Sequence, residues 1–312
     1  MPSLSSADVA VDASTDAARL TALIVEVANA EVRLRPDSGH REVRVRAMPT
    51  EASSPLPPAL EQDALSVEAS GNRLRVASDT APVSAATWRQ HHCAASAVRL
   101  VIDLPPRLRV SAHLPGGHLS VAGLNGALDV TAHSGRVTAR RLGGPVEAAG
   151  SGGALTIEDA TAPVNVEWTN GPVTLTGMER ALTLQTRSAP TTVEGAQGAV
   201  DASAHAAPLT LKDLRASCTA TAHSTTLHYH GAPRSDTLLR VLNGTLAASL
   251  PHTTQADVSA VGSRVRLASQ AHPEHDWHDA RTVRRVNTTL GTDGGPSLTM
   301  QALPGTVECT VH

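Results

Sequence analysis

The chain has 312 residues and sets 26 Lys and Arg against 29 Asp and Glu, a formal charge of −3. The two signs are interspersed, which excludes the basic stripe of a nucleic-acid binder. There is no Phe, one Tyr (Tyr229) and three Trp (Trp88, Trp168, Trp277), too few large aromatics to fill the thick core of a globular domain this long.

Residues 1–20 are rich in Ala, Ser and Asp and do not resemble a signal peptide, so a tail is expected there. The longest apolar run, around Leu20 to Val25, is far too short to span a bilayer. A cytoplasmic location without direct membrane insertion follows as the expectation. Residues 21–104 are expected to form an N-terminal β region or cap with irregular inserts. Its strands are Ile24 to Ala28, Glu31 to Arg35 and Glu42 to Ala47, then Leu65 to Ala69 and Leu74 to Ala77. Thr50 to Leu60 is a Pro- and Ser-rich loop, and Asp79 to Ala95 is an insert before a strand over Ala97 to Leu104.

Regular coils are expected over 105–234. From Ala127 to Arg234 the chain aligns on itself every eighteen residues without a gap. One column reads Val137, Leu155, Val173, Thr191, Leu209, Leu227, and two places on stand Ala139, Ile157, Leu175, Val193, Leu211, Tyr229. Nine places earlier run Leu128, Val146, Val164, Leu182, Val200 and Cys218. Apolar residues at i and i+2 define strands with one buried face, and on a helix they would diverge. Between the alternations stand turn formers: Gly135, Gly153, Gly171 in one column, Pro172, Pro190, Pro208 in the next, and Gly177, Gly195, Gly231 at the second corner. Thr138, Thr156, Thr174, Thr192 and Thr210 form an outward ladder suited to an exposed strand. The predicted fold is all-β: a single-stranded β-solenoid with eighteen-residue, two-strand coils and irregular capping ends. Residues 235–312 are expected as irregular coils and a C-terminal cap, interrupted by the polar stretch Ala271 to Arg281 and closed by strands to Val311. Cys218 and Cys309 fall on inward positions as small buried hydrophobes, which agrees with a reducing compartment.

Three segments carry a family resemblance: VEVANAEVRLRP over 25–36, the stretch VRLVIDLPPRLRVSAHLPGGHLSV and its continuation over 98–144, and GTDGGPSLTMQALPGTVECTV over 291–311. With their P-x-x-L-x-V entry and G-x-L-x-V-x-x-x-S-G-x-V coils, residues 21–311 resemble the bacterial putative-adhesin β-strand-repeat family. The resemblance implies a β-solenoid and an adhesin-like binding role, and it implies no catalytic residues.

Fifteen histidines supply the candidate chemistry. His272, Glu274, His275, Asp276, His278 and Asp279 surround Trp277, and His272, His275, Asp276 and His278 are N/O ligands of the kind that hold zinc. A second cluster is His91, His92 and Cys93. In the coils, His205 and His223 share a column with Arg187 and His133, and His228 and His230 flank Tyr229 on an outward face. Glu158 and Asp159 sit at a corner where Arg140, Arg141, Lys212 and Asp213 take equivalent places, a solvated charge face and not an acid–base pair. Gly150 to Gly153 lacks the following Lys of a phosphate loop, and no G-x-S-x-G is present. The column Arg140, Glu158, Thr176, Glu194, Lys212 beside the threonine ladder rules out a paired threonine ice-binding array.

The leading functional expectation is a non-enzymatic scaffold or adhesin-like binding module that presents a rigid face to a protein partner or to a second copy. No cofactor is expected on this reading. The alternatives are a zinc-binding protein using the His272–His278 stretch, and a cytoplasmic polymer built by end-to-end strand pairing.

Overall fold

The computed structural model describes residues 11–39, 41–49, 65–78, 98–269, 272–277, 284–291 and 294–312. Among these, strands and corners account for the architecture, with one three-residue 3-10 turn (Ala17–Arg19) and no α-helix. The chain divides into two compact units, Met1–Ala154 and Leu155–His312.

The first unit holds β1 (Val11–Asp16), β2 (Ala22–Glu26), β3 (Ala30–Pro36), β4 (Glu42–Pro49), β5 (Leu65–Ser70), β6 (Arg73–Ser78), β7 (Val98–Leu104), β8 (Arg109–Leu114), β9 (Gly117–Ala122), β10 (Leu128–Leu142) and the start of β11 (Val146–Ala160). Here β10 pairs in parallel with β8 and β9 at the predicted offset, Leu128 against Val110 and Val137 against Leu119. Then the order leaves the chain sequence. β2 lies between β8 and β6, with Leu23 opposite both Val110 and Leu74, and β3 lies between β9 and β7. β4 runs antiparallel to β7, β1 antiparallel to β4, and β5 antiparallel to β6. β1 thus begins within the segment expected as a tail. Leu23, Val25, Val32, Leu74, Val76, Leu100 and Ile102 are fully buried between these layers, each worth about 1.5–3 kcal/mol relative to exposure.

The second unit holds the rest of β11, then β12 (Val164–Thr169), β13 (Val173–Met178), β14 (Leu182–Arg187), β15 (Thr191–Glu194), β16 (Val200–His205), β17 (Leu209–Lys212), β18 (Cys218–His223), β19 (Thr226–His230), β20 (Thr237–Leu242), β21 (Gly244–Leu250), β22 (Ala256–Ser269), β23 (His272–Trp277), β24 (Arg284–Leu290) and β25 (Ser297–Val311). Each strand from β11 to β17 pairs in parallel with the next but one at eighteen residues, as Leu155 with Val173 and Val164 with Leu182. From β18 to β20 the offset grows by one, Cys218 facing Thr237, which is where the sequence repeat fails. β25 then pairs with β20 and β21 on one side and with β22 on the other. The final strand is therefore an inner layer, and β23 and β24 lie antiparallel on β22 beyond it.

Two left-handed residues per period make the corners. In the second unit, Asn170, Ser188, Ala206 and Ser224 occupy one corner at φ of 51° to 59°, and Asp159, Gly177, Gly195, Asp213 and Gly231 the other at 51° to 112°. Their amides do not go unpaired. Ser188 N donates to His205 O and Ala206 N to His223 O, and across the second corner Asp213 N donates to His230 O, so the ladder continues around the bend. In the first unit the chain passes the corner so closely that a Cβ on Gly135 would stand 2.1 Å from Gly117 O, which explains the glycine column.

Large side chains are housed by small neighbours. Trp168, 1% exposed, is followed down its column by Thr186, Ala204, Ala222 and Val241. Thr186 and Thr191 are buried together, and Thr191 Oγ1 donates to Ala189 O at 2.8 Å and lies 3.3 Å from Thr186 Oγ1. The hydroxyl of Thr191 is thereby satisfied inside an apolar core.

Candidate functional site

Alternation puts two polar columns on one outward strand face of the second unit and three on the other. On one face Thr156, Thr174, Thr192, Thr210 and His228 follow each other in register, flanked by Glu158, Thr176, Glu194, Lys212 and His230. On the other, Asn165, Thr183, Asp201 and Thr219 run beside Glu167, Gln185, Ser203 and Thr221 and then Thr169, Arg187, His205 and His223. The residues between them are buried, so these columns are held at fixed spacing by the core beneath.

The two histidines that share a sequence column meet across the ladder. His205 and His223 have ring centroids 6.2 Å apart and planes at 24°. Their column continues with Arg187, which faces His205 across the ladder. His228 and His230 lie 6.3 Å apart at 11° on either side of buried Tyr229. Burial first, then the neighbouring His228 and Lys212, hold the His230 imidazole below its ordinary value, against the opposing pull of Asp213. In the first unit His133 Nδ1 is 2.8 Å from Ser151 Oγ and meets His113 edge-on at 6.2 Å.

The other predicted ligands fall elsewhere. His272, Glu274, His275 and Asp276 belong to β23, whose backbone pairs antiparallel with β22, Leu267 facing His275 and Ser269 facing His272. The polar stretch therefore contains a strand and does not simply interrupt the strand pattern. His278 and Asp279 lie outside the described residues, as do His91, His92 and Cys93. Among the described residues, no three His, Cys, Asp or Glu side chains are grouped to enclose a metal ion. Cys218 and Cys309 are buried free thiols; burial, with the charge of Asp201 added at Cys218, pushes both up to about 12 and makes them poor nucleophiles.

Sequence reasoning missed His312. Its Nε2 stands 2.6 Å from Ser249 Oγ, and Ser249 is the cross-strand neighbour of His230. Nothing in the repeat pointed to it, because β25 reaches that position from 61 residues away along the chain. Among the described residues, no helix is long and apolar enough to cross a membrane.

No family model and no curated protein sequence matches the chain. Among solved structures it is similar to a putative adhesin from Bacteroides fragilis, at 13% identity and a TM-score of 0.40, over 96% of both chains. It is also similar to a putative cell adhesion protein from Clostridium sporogenes, at 6% identity and a TM-score of 0.23, over 97% of this chain and 99% of that one.

Proposed function

We propose that the protein is a non-enzymatic β-solenoid scaffold, an adhesin-like module whose outward columns bind a protein partner. The observation that carries this reading is the constant register of β11 to β19, which repeats polar outward residues over a buried Leu, Val and Ala core. A surface of this kind is ordered before binding, so a partner docking on it loses less entropy than one ordering a loop. The threonine column Thr156, Thr174, Thr192, Thr210 is the proposed contact line, because short β-branched side chains leave the sheet flat and accessible. A reducing, cytoplasmic location belongs to the same reading and is supported by Cys218 and Cys309, both held as buried thiols.

The test is a variant carrying Thr174→Arg, Thr192→Arg and Thr210→Arg. Immobilised wild-type protein should retain a defined protein from lysate of its own cells, and the triple variant, folded by circular dichroism, should lose it. Equal capture by both proteins, or capture by neither, would sink the proposal.

A further inference from the structure

We propose that the outward sheet face formed by β3, β7 and β4 is a docking surface for an acidic protein segment, whose carboxylates it takes up with arginine side chains. The inference concerns the first unit and does not rest on the threonine contact line, so either can fail without the other.

The surface starts from a sequence pattern. VRLR in β3 and VRVR in β4 alternate Val or Leu with Arg, so the apolar residues of each strand point inward and the arginines outward. Val32, Leu34, Val43 and Val45 are accordingly buried, while Arg35 and Arg44 are exposed. β7 lies between the two strands and contributes Arg99. In the ladder Arg33 and Arg46 stand on either side of Val101, and Arg35 and Arg44 on either side of Asp103. Charges of both signs are interspersed along the chain, but the fold sorts them, and five arginines share a patch three strands wide.

The carboxylates inside the patch do not cancel it. Glu31 and Asp103 are more deeply buried than the arginines they serve: their side chains are 19% and 10% exposed, against 42% for Arg33 and 31% for Arg46 and Arg99. Glu31 accepts from Arg33 Nε at 2.6 Å and from Arg99 Nε at 2.8 Å, and Asp103 pairs with Arg46. A guanidinium has five N–H donors, so one such bond leaves donors for a guest. The other acids of this sheet collect at its outer border, where β1 places Asp12 opposite Arg46 and Asp16 opposite Glu42. Toward the opposite border the positive face continues through exposed His118 of β9 and exposed Arg136 of β10.

The chemistry of the partner follows from what the arginines already do. Glu31 and Asp103 show guanidinium groups of this sheet engaging carboxylate, which their planar fork matches. Outward residues recur about 6.8 Å apart along a strand and about 4.8 Å apart across strands, and alternate acids of an extended segment have the same spacing. No Phe, Tyr or Trp stands on β3, β4 or β7, so the stacking platforms that hold single-stranded nucleic acid are missing. Among the described residues the exposed large hydrophobic is Leu303, in the second unit, so this face has no apolar anchor for a bilayer.

The experiment is fluorescence anisotropy of a labelled twelve-residue peptide of alternating Glu and Thr, titrated with the full chain at pH 7.5 in low salt. Saturable binding is expected, weakened about tenfold or more in high salt, and absent for the same peptide with Gln in place of Glu. An Arg35→Gln, Arg136→Gln double variant with an unchanged circular dichroism spectrum should bind about tenfold more weakly. Arg187→Gln, in the second unit, should bind as wild type. Absence of peptide binding by the wild type would overturn the proposal, as would equal binding by the double variant or an equal loss in Arg187→Gln. Two further probes are a twenty-nucleotide oligothymidylate and vesicles of phosphatidylcholine with about one-third phosphatidylserine. Weaker binding of both than of the peptide supports the acidic-protein assignment, and tighter binding of either overturns it.

Discussion

The coils between Leu155 and His230 and the strands between Val11 and Leu104 bury the same kinds of side chain but fix their register by different means. In the coils each strand meets a near copy of itself eighteen residues on, so Val164, Leu182 and Val200 are interchangeable layers. In the N-terminal strands the partners are unlike and distant, Leu23 meeting Leu74 and Val110. There, cross-strand ion pairs mark the alignment. Arg99 Nε donates to Glu31 Oε2 at 2.8 Å directly across the ladder, Arg75 NH2 reaches Glu26 Oε2 at 2.6 Å, and Arg46 pairs with Asp103. Repetition makes one register cheap to find locally; where the chain must return from afar, charge distinguishes the right neighbour from others equally apolar.

The strongest way to break this comparison is to change the length of one coil. Deleting Leu182–Ala199 removes one whole period, joins Ala181 to Val200 and lets Val164 stack on Val200 as it now stacks on Leu182. That protein should keep a single cooperative unfolding transition by circular dichroism. Deleting Leu182–Val200, one residue more, places Asp201 in the inward slot of Leu182 and turns the strand over; it should show no cooperative transition. The chain accommodates one added residue between β18 and β20, but no corner in the regular coils is shorter than the period allows. Deleting residues 297–312 should be as damaging, because β25 is paired on both sides and its loss bares β20, β21 and β22 together.

A smaller effect tests the core directly. Trp168→Ala removes the one aromatic side chain from a column that continues with Thr186, Ala204, Ala222 and Val241. Rigid strands on both sides limit collapse into the space, so the expected loss is about 3–5 kcal/mol in denaturant unfolding.

The N-terminal strands should respond to charge and pH. Burial alone would raise the Glu31 carboxyl, but hydrogen bonds from Arg99 and Arg33 outweigh it and hold the group below its ordinary 4.5. A carboxyl depressed by folding contributes stability that is complete above the unfolded value and is lost as the pH falls below about 4.5. Glu31→Gln should therefore cost about 1 kcal/mol at pH 7 in low salt. It should cost less at high salt, and the variant should show a shallower loss of stability in acid than the wild type.

These differences also explain what was legible in the sequence. The eighteen-residue columns announced β10 to β19 because each side chain there has its partner one period away. They placed His205 beside His223 for the same reason. The left-handed corner stood one residue ahead of the glycine column that drew attention, at Asn170, Ser188, Ala206 and Ser224, where small residues other than glycine hold that conformation without announcing it. β25 as an inner layer, β2 between β6 and β8, and His312 beside Ser249 were hidden, because their pairings link segments with no common period. The contact of His113 with His133 runs diagonally across the ladder, outside any column. β23 was obscured because HPEHDW lacks an apolar alternation, as suits a strand paired on β22 near the end of a sheet.

The smallest predicted effect is a gain in stability. Ala206 holds φ at 59°, a conformation that costs an ordinary L-residue about 1–2 kcal/mol and that Asn170, Ser188 and Ser224 meet at the equivalent corners. Alanine has no side-chain oxygen with which to offset that strain. Ala206→Gly relieves it but gives the unfolded chain more freedom, a cost of about 0.4–1 kcal/mol. The net change should therefore be a stabilisation of roughly 0.5–1 kcal/mol, seen as a higher denaturant midpoint with an unchanged slope. Ala204→Gly, two residues earlier in an extended and fully buried position, supplies the opposite sign, because there glycine gains no conformation and loses a methyl packed between Thr186 and Ala222. If both substitutions destabilise, the corner is not under strain at Ala206, and the close repetition of left-handed residues is a feature the coil tolerates without cost.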